Sequence, residues 1–162
     1  MFKALYAEIV NLSKEIFELG LREEGVGTSV CIGEYDNIVQ DSFRFKDKKA
    51  IIIFWELGNV IEGLSYKMTQ FDQKHFDEIY NKVKQEIDLI LKNLQSVPLV
   101  FFNLFSTWPF SLSTSDDVFF DKLADQLNQY LLNRDEENLR LIGLEKVLFK
   151  VGLDNAINWR NY

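Results

Sequence analysis

Two largely apolar runs constrain the fold of this chain more than any other feature. The first run is Ala50–Trp55 and the second is Val97–Phe105, and in neither do apolar and polar residues alternate. Such runs are typical of strands that are covered on both faces, and strands of that kind belong to parallel sheets. Pro98 is compatible with a strand because it lies at the beginning, where Pro is tolerated. The two runs therefore predict two buried strands of a parallel sheet.

The sequence also predicts amphipathic helices in the segments before, between and after these strands. Between Asp72 and Gln95 the apolar residues recur with a helical period, opposite a face of Lys, Asp and Glu. A second apolar stripe predicts a helix through Phe119 or Phe120, Leu123, Leu127, Tyr130 and Leu131. We also expect a helix over residues 3–19 that ends at Gly20, and a short helix over Leu144–Val151 that stops at Gly152.

Two shorter strands complete the predicted order of elements. They are Thr28–Ile32, in which Cys31 is expected to be buried, and Leu139–Ile142. The alternation of strands and helices predicts an α/β fold, a parallel sheet with helices on both faces. Without a repeat or a linker, we expect a single α/β domain over residues 1–162. The chain opens on a helix, so we expect that the usual first strand is lacking and that the domain is a fragment of a longer multidomain protein.

Composition excludes several classes of function. The 162 residues include 18 Lys and Arg against 25 Asp and Glu, and this net charge of -7 argues against nucleic acid as a partner. With one cysteine and one histidine, Cys31 and His75, the chain cannot form an internal disulfide or a conventional histidine-rich metal site. No apolar run reaches the roughly 18 residues of a membrane span, and we expect a cytoplasmic protein without a membrane partner.

Polar residues after the predicted strands form the candidate site. Ligands of open parallel sheets bind beyond the carboxyl ends of the strands, so the loops there are the places to search. The substrate-binding candidates are Tyr35, Asp36, Glu56, Gly58, Asn59, Ser106, Thr107 and Asp154. We predict no catalytic residue, because the chain has no glycine-rich nucleotide motif and no G-x-S-x-G motif. We also predict no metal-binding residue, because the chain has only one Cys and one His. His75 is expected near the start of a helix, facing solvent or the shoulder of the helix.

Several segments of the chain resemble the N-terminal region of FkbH-like proteins, which belong to subfamily IIIC of the haloacid dehalogenase (HAD) superfamily. The similar segments are Glu34–Asp41, Ile51–Leu57, Asn138–Ile142, Val151–Asp154 and Trp159–Tyr162. The resemblance implies a three-layer, flavodoxin-like fold similar to SGNH hydrolases. It also implies a biosynthetic parent enzyme, a phosphatase or transferase, whose C-terminal HAD domain handles phosphorylated three-carbon units for acyl carrier proteins.

Two departures from the family's patterns limit what these residues can catalyse. The HAD signature D-x-D-x-T is absent, so this segment needs no cofactor and Mg²⁺ is expected only in a downstream HAD domain. The SGNH blocks are incomplete too: Asp154 has no His three residues later, and Glu56–Asn59 is similar to the G-x-N-D block with its Gly and Asn adjacent. The leading hypothesis is an accessory domain that binds or positions a substrate or an acyl or glyceryl carrier.

Two alternatives remain open from the sequence. One is an SGNH-type ester hydrolase completed by residues outside this chain. The other is an interaction module of flavodoxin-like shape without a small ligand, and a flavin is not expected because the loops lack a Ser/Thr-rich phosphate cradle after a first strand. If a central strand is missing, exposed sheet edges predict either self-association, as a homo-oligomer, or marginal stability.

Overall fold

Four stretches of the chain, residues 14–34, 37–60, 72–107 and 117–152, are described by the structure, which is a computed structural model. The chain divides into two units, Met1–Asn37 and Ile38–Tyr162. Whether they form the single domain predicted from the sequence stays open. Within the four stretches, no helix is both long and apolar enough to cross a membrane.

In the described part of the N-terminal unit, residues 14–23 are helical (α1), and this helix ends in a glycine cap. Gly25 has a φ of +80°, a conformation that costs glycine little and most other residues considerably more. Its N–H donates to the carbonyl of Arg22 at 3.0 Å, and the N–H of Val26 donates to the carbonyl of Leu21 at 2.8 Å. These paired bonds form a Schellman motif, which satisfies the last carbonyls of the helix.

Three sequence predictions in this unit are wrong. Gly20 does not end the helix, because the helix runs on to the left-handed turn at Gly25. Thr28–Ile32 is irregular rather than a strand, and the N–H of Val30 donates to the Glu18 carboxylate at 2.7 Å instead of to a neighbouring strand. Cys31 is exposed, so its predicted burial is wrong as well.

A parallel sheet forms the centre of the second unit. Its strands are Ala50–Ile53 (β1), Leu99–Asn103 (β2) and Leu139–Ile142 (β3), in the order β1-β2-β3. Ile53 pairs with Phe102, which pairs with Leu141 in the next strand. The predicted parallel α/β sheet is confirmed, although β1 and β2 are shorter than their apolar runs.

The described residues of the same unit include four helices. They are Ile38–Arg44 (α2), Gln73–Asn93 (α3), Asp117–Leu132 (α4) and Leu144–Val151 (α5), together with the 3₁₀ turn Leu57–Asn59. Helices α3, α4 and α5 confirm the sequence prediction. Gly152, at a φ of +85°, stops α5 as expected. Helix α2 was not evident from the sequence, because seven residues span only two turns and show little periodicity.

The core lies between one face of the sheet and helices α3 and α4. Phe102 is fully buried there against apolar side chains such as Val83 and Ile87 of α3 and Leu123 and Leu127 of α4. Each right-handed crossover moves one strand in the same direction, so the two connecting helices lie on the same face. Helix α2 packs beside α3.

The opposite face of the sheet is more open. The side chain of Ile52 is 39% exposed to solvent, and that of Phe54, two residues later, is 57% exposed. The expectation that both faces of β1 are covered is therefore wrong for these two side chains. Helices on both faces, and with them the three-layer, flavodoxin-like arrangement, stay a prediction.

A charged network ties helices together at the amino edge, where the strands begin. The guanidinium of Arg134 donates to Asp88 and to the Tyr130 hydroxyl, both at 2.8 Å, and it also pairs with Glu136. The hydroxyl of Tyr130 donates to Asp88. Burial and this bond to Asp88 raise the pKa of Tyr130, while the hydrogen bond from Arg134 holds the pKa of Glu136 below its usual 4.5.

Candidate functional site at the carboxyl edge of the sheet

A buried amide holds the segment that follows β1. Asn103 is the last residue of β2, and its Oδ1 accepts from the N–H of Trp55 at 2.6 Å. Its Nδ2 donates to the carbonyl of Trp55 at 3.0 Å. The side chain thus satisfies both backbone groups of one residue beyond the end of β1, as a neighbouring strand would. This fixes the backbone that leads directly into Glu56.

A second amide holds the segment that follows β2. Asn128 lies on α4, and its Oδ1 accepts from the N–H of Phe105 at 2.7 Å. The Nδ2 atom of Asn128 donates to the carbonyl of Phe105 at 2.9 Å. The next residues along the chain are Ser106 and Thr107, so two candidate site residues follow a backbone position that α4 holds in place.

Aromatic rings pack beneath the two amide contacts. The ring of Trp55 lies 5.9 Å from that of Phe105 and 6.5 Å from that of Phe102, measured between centroids. All three side chains are buried. Trp55 is therefore a core residue rather than the lining of a cleft, and it gives the carboxyl edge a packed base.

The polar side chains above this base come from more than one strand end. The hydroxyl of Ser106 donates to a carboxylate oxygen of Glu145 at 3.0 Å, which joins the segment after β2 to the first turn of α5. Thr107 is half-buried and Glu56 is exposed. Glu145 was not among the sequence candidates because it lies in an exposed helical turn, where a glutamate is ordinary.

Five of the predicted site residues lie on segments that leave the carboxyl edge. Glu56, Gly58 and Asn59 follow β1, with Gly58 and Asn59 in the 3₁₀ turn, and Ser106 and Thr107 follow β2. The remaining three candidates, Tyr35, Asp36 and Asp154, lie outside the described residues.

The start of α3 carries an acid–imidazole pair. Asp72 is the N-cap residue, and its Oδ1 accepts from the backbone N–H of His75 at 3.0 Å and lies 2.6 Å from the Nδ1 atom of the same residue. The bond from the backbone N–H lowers the pKa of Asp72 below its usual 3.8. Both side chains are exposed, which agrees with the position expected for His75.

A lysine of α4 contacts the first turn of α3. The ammonium group of Lys122 donates to the Gln73 side chain at 2.9 Å and lies 4.4 Å from the centroid of the Phe76 ring. Because α3 follows β1 and α4 follows β2, both first turns lie toward the carboxyl edge. This contact has no specific signal in the sequence, because each residue has an ordinary helical position.

The chemistry available at this edge is hydrogen bonding. Carboxylates at Glu56 and Glu145 accept hydrogen bonds, and the hydroxyls of Ser106 and Thr107 donate and accept them. Such a set suits ligands rich in hydroxyl or amide donors, and it disfavours a free carboxylate close to either glutamate. In the part of the chain that the structure describes, no group of three or more His, Cys, Asp or Glu side chains could hold a metal ion.

Comparison of this chain with protein-family models, with curated proteins and with solved structures gives no significant match.

Proposed function

We propose that this chain is a non-catalytic accessory domain that binds and positions a substrate, or an acyl or glyceryl group on a carrier, at the carboxyl edge of its sheet. The observation that carries this proposal is the pair of amide contacts by Asn103 and Asn128. They fix two loop backbones before any ligand arrives. A loop that is already ordered loses less conformational entropy on binding, so such an edge favours recognition.

The composition of the rim supports a ligand with several hydrogen-bond donors. The Ser106–Glu145 pair and the exposed Glu56 offer mainly acceptors. A glyceryl group has hydroxyl donors, and the phosphopantetheine arm of a carrier protein has amide donors. Either could bind here, with the phosphate of the phosphopantetheine arm directed away from the glutamates.

The proposed parent protein is a HAD-type biosynthetic enzyme of the FkbH-like kind. This part of the proposal rests on the sequence resemblance and on the α/β fold that such a domain requires. A C-terminal HAD domain in the same protein would supply the Mg²⁺-dependent phosphoryl chemistry, and an acyl carrier protein would be the second partner. This segment itself would require no cofactor.

The test is a binding measurement with an acyl carrier protein that bears a glyceryl thioester on its phosphopantetheine. Isothermal titration calorimetry would compare the unmodified chain with the variant Glu56→Ala/Glu145→Ala. We expect the variant to bind at least about tenfold more weakly, because removing hydrogen-bond acceptors costs on the order of 1.4 kcal/mol. The control Glu78→Ala/Glu137→Ala makes the same charge change at exposed sites on α3 and before β3 and should retain the affinity.

Two results would refute the proposal. One is that the glyceryl-loaded carrier protein does not bind to the unmodified chain. The other is that both double variants bind the carrier as tightly as the unmodified chain does.

An ester hydrolase is the second candidate, and one observation favours it. Asp72 lies 2.6 Å from Nδ1 of His75, as the acid lies from the imidazole in a Ser-His-Asp triad. The nucleophile would have to come from elsewhere. Hydrolysis of p-nitrophenyl acetate distinguishes the candidates: a rate that falls at least about tenfold in His75→Ala supports the hydrolase, whereas equal rates support the binding domain.

A further inference from the structure

A basic depression lies at the amino edge of the sheet, away from the proposed binding edge. It has a volume of about 490 Å³ and is open to solvent. Its lining residues are Phe43, Lys46, Asp47, Lys92, Asn93, Gln95 and Ser96. They come from the end of α2, the approach to β1, the end of α3 and the approach to β2, so four segments converge on one surface.

Side-chain hydrogen bonds hold the walls of the basic depression together. The amide of Asn93 donates to the Ser42 hydroxyl at 2.9 Å, and that hydroxyl donates to the carbonyl of Val39 at 2.6 Å. The hydroxyl of Ser96 donates to the carbonyl of Lys46 at 3.4 Å. These bonds join α2 to α3 and the approach of β1 to that of β2, so the surface is formed without a ligand.

Positive charge is concentrated around this surface. Residues 43–49 contain four basic side chains and one acid, which leaves 14 basic and 24 acidic residues in the rest of the chain. Two of these cations are already paired, Lys48 with Asp47 at 3.3 Å and Arg44 with the neighbouring Asp41 at 3.1 Å, and Lys46 lines the depression itself. Lys92 adds a further positive charge from the end of α3. A local positive surface on an acidic protein attracts a negatively charged partner to that one place.

An exposed aromatic ring lies within the same surface. Phe43 is 61% exposed to solvent, and the ammonium group of Lys46 lies 4.1 Å from the centroid of its ring. An apolar side chain of a partner could cover this ring while acids beside it meet Lys46 and Lys92. The combination of one apolar anchor and flanking cations is suited to a short peptide segment.

We propose that the basic depression is a docking site for an acidic segment of a partner protein, anchored by an apolar side chain on Phe43. Charge complementarity selects this partner. A long nucleic acid would extend beyond the depression, and outside residues 43–49 the chain carries 24 acidic and 14 basic residues, a balance that disfavours binding of a polyanion. A short acidic peptide fits within the positive region.

The experiment measures fluorescence anisotropy of a fluorescein-labelled peptide of glutamate and leucine residues added to the full chain. We expect binding that weakens at least about tenfold in Lys46→Glu/Lys92→Glu and several-fold in Phe43→Ala. The control Lys74→Glu/Lys82→Glu makes the same charge change at two exposed positions on α3 and should bind within about twofold of the unmodified chain.

Competing probes and a fold check make the outcomes decisive. A peptide with glutamine in place of glutamate should bind at least about tenfold more weakly, and an oligothymidylate should not compete. Circular dichroism confirms that each variant is folded. Equal losses in the two double variants, equal binding of the glutamine peptide, competition by the oligothymidylate or no peptide binding would each overturn the proposal.

Discussion

The two edges of the sheet are held together by different chemistry. At the carboxyl edge, neutral amides of Asn103 and Asn128 bond to backbone groups of Trp55 and Phe105. At the amino edge, Arg134 and its acidic partners form a charged network that is partly exposed. The neutral bonds are insensitive to pH and salt near neutrality, whereas ion pairs weaken in acid and salt. Stability at the two edges should therefore respond differently to the same conditions.

The largest effect is expected at the carboxyl edge, from Asn103→Ala. The substitution leaves the N–H and the carbonyl of Trp55 without their buried partner, and we expect a loss of about 3 kcal/mol in the free energy of unfolding. Urea denaturation followed by Trp fluorescence would measure it. Asn133→Ala, at an exposed position after α4, is the control and should change stability by less than about 0.5 kcal/mol. A similar small loss in Asn103→Ala would contradict the role given to its amide.

A smaller effect is expected at the amino edge, from Arg134→Gln. About a quarter of this side chain is exposed, so solvent screens its ion pairs and we expect a loss of about 1 kcal/mol. The loss should shrink when denaturation is repeated in high salt, because screening already weakens the pairs of the unmodified protein. The exposed Arg140→Gln is the control. A loss independent of salt would show that Arg134 acts through packing instead.

The smallest expected effect is a dependence of stability on pH, caused by Glu136. Because the folded pKa of Glu136 lies below its usual 4.5, its stabilising contribution is present above that pH and is lost as pH falls through the folded pKa. The variant Glu136→Gln should therefore be less stable than the unmodified chain at neutral pH, with a difference that narrows below about pH 4.5. Thermal melts across that range would check this. A difference that stays constant with pH would contradict the assigned ion pair.

Periodicity predicted the regular elements that bury apolar side chains. The stripes of α3 and α4 and the apolar runs of β1 and β2 are repeated features, so burial leaves a visible pattern. Thr28–Ile32 was misassigned because β propensity does not supply a partner strand, and the Val30 N–H bonds to Glu18 instead. Gly20 and Gly25 are equally plausible stops in the sequence, and only the backbone turn distinguishes them.

The carboxyl edge was less predictable than the fold that forms it. The general rule for parallel sheets directed attention to Glu56, Ser106 and Thr107. Asn128 could not be found in this way, because it lies on α4 and meets Phe105 only through tertiary packing. Glu145 is likewise brought to Ser106 by the crossover from β2 to β3. Contacts between residues distant in sequence leave no periodic signal.

The strand order β1-β2-β3 also has a consequence for how the chain acquires its structure. Each strand pairs with the one before it in sequence, so the β1-α3-β2 unit can close before β3 has been synthesised. On a ribosome, the sheet could then grow in the direction of synthesis without waiting for a distant strand. In the last step, β3 would pair with β2 on the side opposite β1. This pairing would complete the burial of Phe102, which then has a neighbouring strand on each side.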